Sequence, residues 1–145
     1  MKFKHLILLL FLFPFWAIQA QEGPEMLENV KAQMMSGREK AARKNLDKAL
    51  EKAIREKNDT LLCIVYGAMG EYEAHIEADY YQAIRYIYKG IELAQQHRNR
   101  RQYGLLLSQL ANTYYLKRNG AGLKYAIESY ELGCELNDTF LIYSG

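Results

Sequence analysis

Hydrophobic side chains recur with a helical period along almost the whole chain after residue 24. Apolar residues stand three and four positions apart, as at Ile84, Ile87 and Ile91, and no stretch shows the sustained alternation of a strand. Both prolines lie at or before residue 24, so these segments lack the strongest helix breaker. The pattern predicts an all-α fold with helices over about 24–35, 38–57, 59–76, 79–97, 100–117 and 123–136, and a last helix from near 138.

The first twenty residues have a different pattern. Lys2 and Lys4 precede an apolar stretch from residue 6 to residue 18, and Ala20 is a small residue before a cleavage point. This is the layout of a secretory signal peptide. The apolar stretch has 13 residues, fewer than the roughly 20 that span a bilayer. We expect residues 1–20 to be a cleaved signal peptide and residues 21–145 to form one helical domain. An uncleaved signal anchor is the alternative.

Three of the predicted helices repeat one arrangement of small residues. In each of them an alanine is followed seven residues later by a small residue, and a Glu stands two residues after that. The alanines of successive helices are 41 and 43 residues apart. Seven residues are nearly two helical turns, so both small residues lie on one face and let a neighbouring helix approach. The repeats span roughly 24–57, 58–97 and 98–136, with a further one starting at 137–145. The small pairs are Ala42 and Ala49, Ala83 and Gly90, and Ala126 and Gly133.

The triplet Asn-Asp-Thr occurs at residues 58–60 and again at 137–139, each time before an apolar run. Both triplets match the N-glycosylation sequon. Asn and Asp are also preferred at the position that caps the start of a helix, where their side chains accept from free backbone N–H groups. We expect capping rather than glycosylation at both places.

The paired helices resemble the tetratricopeptide repeat (TPR) family. Leu110-Ala111 with Tyr114 stands where that family has Leu-Gly-x2-Tyr in the first helix of a pair, and Tyr80 with Ala83 stands for Tyr-x2-Ala in the second. Tyr66-Gly67 is a weaker match to the first motif. The family's tryptophan and closing proline are missing. The resemblance implies a right-handed α-α superhelix of about three helix pairs.

The repeat is also longer than the usual 34 residues. The excess falls at residues 77–79 and 119–122, between the helices of a pair. The chain is in this respect similar to the long variant of kinesin light chain and to secreted or sensor-arm repeat proteins of bacteria. Its Met-Lys-Phe-Lys start and tyrosine-rich helices resemble TPR proteins of Bacteroidetes.

The resemblance also implies a binding face. In the family, the first helix of each pair lines a concave surface, with contacts one and five residues after the glycine of Leu-Gly. Carried over, these positions are Ala68 and Tyr72 in one repeat and Asn112 and Leu116 in the next, and Tyr115 is adjacent. We expect Tyr72, Asn112 and Tyr115 to contact a protein or peptide partner.

Composition and spacing argue against other chemistries. The chain has 19 basic and 17 acidic residues, but without residues 1–20 the two are equal, so the sequence does not indicate nucleic-acid binding. We predict no metal site, cofactor or catalytic residue, because His75 and His97 are far apart and no serine lies in a nucleophile elbow. Cys63 and Cys134 are expected to be buried free thiols, with a disulfide as the alternative. The runs of like charge, basic over 31–57 and acidic over 58–79, are interpreted as solvated helix faces that complement neighbouring repeats, with a ligand site as the alternative.

The leading functional interpretation is a non-enzymatic TPR-type interaction module or scaffold, periplasmic or secreted, whose mature part does not enter a membrane. The alternative is the N-terminal periplasmic sensor arm of a membrane signalling protein, a histidine kinase or a transcription regulator. The chain stops at Gly145, a few residues into a predicted helix, so we expect a truncated sequence. The coding sequence beyond that point separates the two: a membrane span and effector domain favour the sensor, and further repeats favour the scaffold.

The targeting prediction has a direct test. Cleavage after Ala20 exposes Gln21, so mass spectrometry of the exported protein is expected to find its N-terminus at Gln21, open or cyclised. Intact Met1 in a membrane fraction contradicts cleavage and supports the anchor.

Overall fold

The computed structural model describes residues 26–144, and this part of the chain is all-helical, as the periodicity predicts. It contains no strand. Residues 1–20, the predicted signal peptide, lie outside the described range. Seven helices follow one another: α1, described over 26–35, α2 (Glu39–Arg55), α3 (Asp59–Tyr72), α4 (Tyr80–Gln96), α5 (Arg100–Leu116), α6 (Leu123–Leu136) and α7 (Thr139–Ser144).

Each connection from α2 to α7 contains the same reversal. A residue with positive φ comes first, and the Asn or Asp after it accepts hydrogen bonds from backbone N–H groups of the next helical segment. These pairs are Lys57 and Asn58, Ala78 and Asp79, Arg98 and Asn99, Arg118 and Asn119, and Asn137 and Asp138. Capping at residues 58–60 is confirmed, whereas at 137–139 the capping residue is Asp138, and Asn137 takes the left-handed conformation.

Backbone hydrogen bonds close these reversals. The Asn58 N–H donates to the Ala53 carbonyl at 3.0 Å, five residues back, and the Asn99 N–H donates to the Ala94 carbonyl at 2.8 Å. This bond belongs to the Schellman motif, which satisfies carbonyls at a helix end. A left-handed residue other than glycine costs roughly 1–2 kcal/mol. The closing bonds and the side-chain cap, itself worth roughly 0.5–2 kcal/mol, offset that cost.

The residues in excess of a standard repeat are taken up by irregular helical turns. Between α5 and α6 they form a 3₁₀ turn, Gly120–Gly122, inside the predicted 119–122 insertion. Between α3 and α4 the predicted insertion at 77–79 is instead absorbed by a π-helical turn, Glu73–Glu77, that continues α3. α3 therefore leaves its α-helical geometry at Tyr72, four residues before the predicted end.

Two hydrophobic clusters hold the helices together. One joins α1, α2 and α3 around Val30, Leu46 and Val65, and the other joins α3, α4 and α5 around Cys63, Ile87 and Leu110. Successive helices pack against each other from α2 to α7. In addition, α3 packs against α5, and α5 packs against α7. These odd-numbered helices therefore lie side by side.

The predicted small residues face neighbouring helices. Ala42 and Ala83 are fully buried. A Cβ on Gly90 would stand 3.0 Å from a Leu106 methyl and 3.3 Å from the Cys63 carbonyl oxygen, so α4 meets α3 and α5 through a position with little room for a side chain.

The repeat register of α6 differs from the sequence alignment. In α2 and α4, the residues that lie 4, 8 and 15 positions before the left-handed residue at the end of the helix are all small. Counting back from Asn137 in the same way gives Gly133, Ser129 and Gly122, which are small and buried. Ala126 is only half-buried and stands at the place of Ile87, not of Ala83. The alignment of Ala126 with Ala83 was wrong by four residues, which is about one helical turn and leaves the face almost unchanged.

The two cysteines are free, as expected, but they are not both buried. Cys63 lies in the second core cluster, whereas Cys134 is exposed on α6. The expectation of a buried thiol is therefore wrong for Cys134.

The helix packing predicts unequal effects of one substitution on α4. Ala83 is fully buried, and its carbonyl oxygen would lie 3.2 Å from a Cβ on Gly70 of α3. Ala83→Leu is expected to overpack this contact and lower the free energy of unfolding by roughly 1–3 kcal/mol. Gln96→Leu, at an exposed position of the same helix, should change it by less than about 0.5 kcal/mol. Thermal and urea melts measure both, and equal effects contradict the packing described.

Candidate functional site

The odd-numbered helices line an open groove of about 610 Å³. α1 contributes Glu28, α3 contributes Glu71, and α5 lies along the middle. The apolar part of the lining includes Ile64, Leu105, Leu106 and Phe140, and the polar part includes Gln102, Ser108, Gln109, Asn112 and Ser144. The groove thus combines amides, hydroxyls and carboxylates with an apolar wall.

Side chains from neighbouring odd helices meet at the groove. Gln109 Nε2 donates to Glu71 Oε1 at 3.0 Å, and Asn112 Nδ2 lies 3.4 Å from His75 Nε2. Ser108 Oγ donates to the Ser144 carbonyl oxygen at 2.9 Å. These contacts hold the polar side chains of α5 in place and link α3, α5 and α7.

Glu71 and Asn112 occupy equivalent places in successive repeats. Each lies thirteen residues after the Asn that caps its helix, Asn58 or Asn99. The residues just before them, Gly70 and Ala111, lie against Ala83 and Gly122, which are themselves equivalent positions in the second helical segments of the two repeats. A Cβ on Gly70 would lie 3.2 Å from the Ala83 carbonyl oxygen, and a Cβ on Gly122 would lie 2.8 Å from that of Ala111. The counterpart of Ala111 is therefore Gly70, and not Gly67 as the sequence motif suggested.

Two of the three predicted site residues lie together on this surface. Asn112 is exposed in the groove, and it also lines an adjoining depression of about 390 Å³ with Tyr115, Asn119 and Leu123. Tyr115 is 78% exposed. A partner in the groove can reach both side chains.

Tyr72, the third predicted site residue, lies elsewhere. It is 3% exposed in the first core cluster, with the Arg43 guanidinium 5.8 Å from its ring centre. Its hydroxyl donates to Glu77 Oε1 at 3.2 Å. Burial and this bond to a carboxylate raise its pKa above the ordinary value. The structure places Tyr72 among residues that hold α2 against α3.

Glu71, Gln109 and Phe140 are groove residues that the sequence motifs did not select. For Glu71 a signal was available. Counting from the capping Asn58, instead of from Gly67, gives Glu71 as the equivalent of Asn112. For Gln109 and Phe140 no motif in the sequence marks the position.

Ion pairs connect helices within and between the repeats, and one of them joins the basic run to the acidic run, as the charge pattern predicts. Arg43 Nη1 of the basic run lies 2.7 Å from Glu73 Oε1 of the acidic run, and Glu73 is buried. Arg100 pairs with Glu135, and Arg101 Nε lies 2.6 Å from Asp138 Oδ2. The Arg101 guanidinium lowers the pKa of Asp138.

Several tyrosines meet at the junction of α4, α5 and α6. The hydroxyls of Tyr88 and Tyr125 are 2.7 Å apart, and the rings of Tyr114 and Tyr125 stack at 5.6 Å. This hydrogen bond raises the pKa of Tyr88 and lowers that of Tyr125. Lys124 also lowers the pKa of Tyr125. Burial, together with a hydrogen bond to Glu128, raises the pKa of Tyr103 to about 12. The rings of these tyrosines pack between helices.

Among residues 26–144, no group of three or more His, Cys, Asp or Glu is placed to hold a metal ion. No helix within the same range is long and apolar enough to cross a membrane. No family model matches the chain, and no curated protein matches it. The function is therefore inferred from the fold and the groove.

Proposed function

We propose that this chain is a non-enzymatic, TPR-type protein-interaction module that binds an extended peptide segment of a partner protein. In this proposal α1, α3, α5 and α7 form the concave side of a right-handed superhelix. The observation that carries it is the groove to which all four of these helices contribute side chains.

Two features of the fold support membership of the TPR type. The helices pack in succession, and odd-numbered helices also pack on each other, α3 on α5 and α5 on α7. Small buried residues recur at fixed distances from the helix ends, such as Ala94 and Gly133. Repeat proteins of this kind bury each unit against its neighbours and present one continuous face to a partner.

The chemistry of the groove suits a peptide. The side-chain amides of Gln109 and Asn112 carry both donors and acceptors, so they can pair with the N–H and C=O groups of an extended backbone. The exposed rings of Phe140 and Tyr115 offer area for apolar side chains. A long, open groove of mixed character fits a segment of a protein better than a small compact ligand, which is usually enclosed.

The proposed place of action is the periplasm or the outside of the cell. It is supported by the sequence pattern of residues 1–20, with its basic start, apolar core and small residue before Gln21. The partner in this proposal is a protein that meets the chain after export.

Phage display followed by affinity measurement tests peptide binding. A random peptide library is selected on the full chain, and enriched peptides are measured by fluorescence anisotropy. Asn112→Ala and Tyr115→Ala are each expected to weaken binding about tenfold, which is typical of a contact that contributes strongly to an interface. Tyr81→Ala is the matched control, because Tyr81 is 71% exposed but lies on α4.

Circular dichroism first confirms that each variant keeps the helix content of the parent chain. Enrichment of no peptide, or equal affinity of the parent and both groove variants, contradicts the proposed binding face.

A further inference from the structure

We infer that the groove selects a peptide segment in which a lysine or arginine stands next to an apolar residue. This inference rests on the proposed function, because it specifies the partner of the same groove. It is carried by the charge and the apolar wall of that groove.

The groove contains two carboxylates that form no ion pair with the described residues of the chain. Of the charged residues that line it, Glu28 and Glu71 have no ion-pair partner among residues 26–144. The remaining one, Arg101, is held by Asp138. The groove therefore has an excess of negative charge, although the chain after residue 20 is formally neutral.

Glu71 is fixed in a position to receive a cation. The Gln109 amide donates to its Oε1 at 3.0 Å, which orients the carboxylate and leaves Oε2 without a hydrogen-bond partner in the described part of the chain. The residue is half-buried, and Leu105 and Leu106 line the same groove. A low-dielectric wall beside a carboxylate strengthens its attraction for a cation.

An apolar wall lies in the same groove. Phe140 is 62% exposed on α7, and Leu105 and Ile64 also contribute to the lining. An apolar side chain of the partner can cover these residues while a neighbouring basic side chain reaches Glu71 or Glu28. An acidic peptide would bring like charges together, which lowers affinity and provides specificity.

Three labelled peptides of equal length and identical apolar residues test this inference. They carry Lys, Gln or Glu at the same alternate positions, and their binding to the full chain is measured by anisotropy at low and high salt. The Lys peptide is expected to bind at least about tenfold more tightly than the Glu peptide, with the difference shrinking at high salt. Because the charge is varied on the peptide, this comparison needs no variant of the protein.

Two variants of the protein locate the effect. Glu71→Gln should weaken the Lys peptide about fivefold, as expected for one partly exposed ion pair, and leave the Gln peptide unchanged. Glu131→Gln removes an exposed carboxylate from α6 and should change neither. Equal affinities for the three peptides, or equal losses in both variants, overturn the basic preference while peptide binding itself stands. Failure of every peptide, including those enriched from the random library, overturns the proposed function as well.

Discussion

The two-residue reversal between helices determines the arrangement of the rest of the structure. A left-handed residue followed by a capping Asn or Asp ends one helix and starts the next within a few Å, as at Lys57 and Asn58. Such a short connection forces successive helices to run antiparallel and in contact. Because the reversal recurs with nearly constant spacing, every second helix returns to the same side of the molecule. The contacts of α5 with both α3 and α7 follow from this, and so does the groove they line.

Close connections also require small residues. Helices joined by so short a reversal lie near each other, and the positions where they touch have little room for side chains. Gly90 illustrates this, since an added Cβ would meet both Leu106 and the Cys63 carbonyl. At the equivalent place in α6, Ser129 is fully buried, and its hydroxyl donates to the Gly104 carbonyl at 2.9 Å. The polar group is tolerated there because its hydrogen bond is satisfied.

The sequence predicted the helices well and the register of the groove less well. Periodicity identifies a helix face, but a shift of three or four residues keeps nearly the same face. This is why Ala126 was matched to Ala83, and why the motif selected Ala68 and Tyr72 where the register of the structure has Glu71 and His75. The π-helical turn after α3 has no signal in the hydrophobic pattern, because it changes the geometry of residues whose character is unaltered. The Leu110-Ala111 motif did give the correct register for α5, so Asn112 lies in the groove and Tyr115 in the depression beside it.

The central claim is that the odd-numbered helices form the peptide-binding face. Nuclear magnetic resonance of the isotope-labelled full chain, titrated with the lysine-bearing peptide, tests it at single residues. The side-chain amide signals of Gln109 and Asn112 and the backbone signal of Glu71 should shift as the peptide is added. The signals of Gln96 on α4 and Glu131 on α6 should stay in place. Shifts confined to α4 and α6 around Tyr88 and Tyr125, with Asn112 unmoved, would contradict the claim.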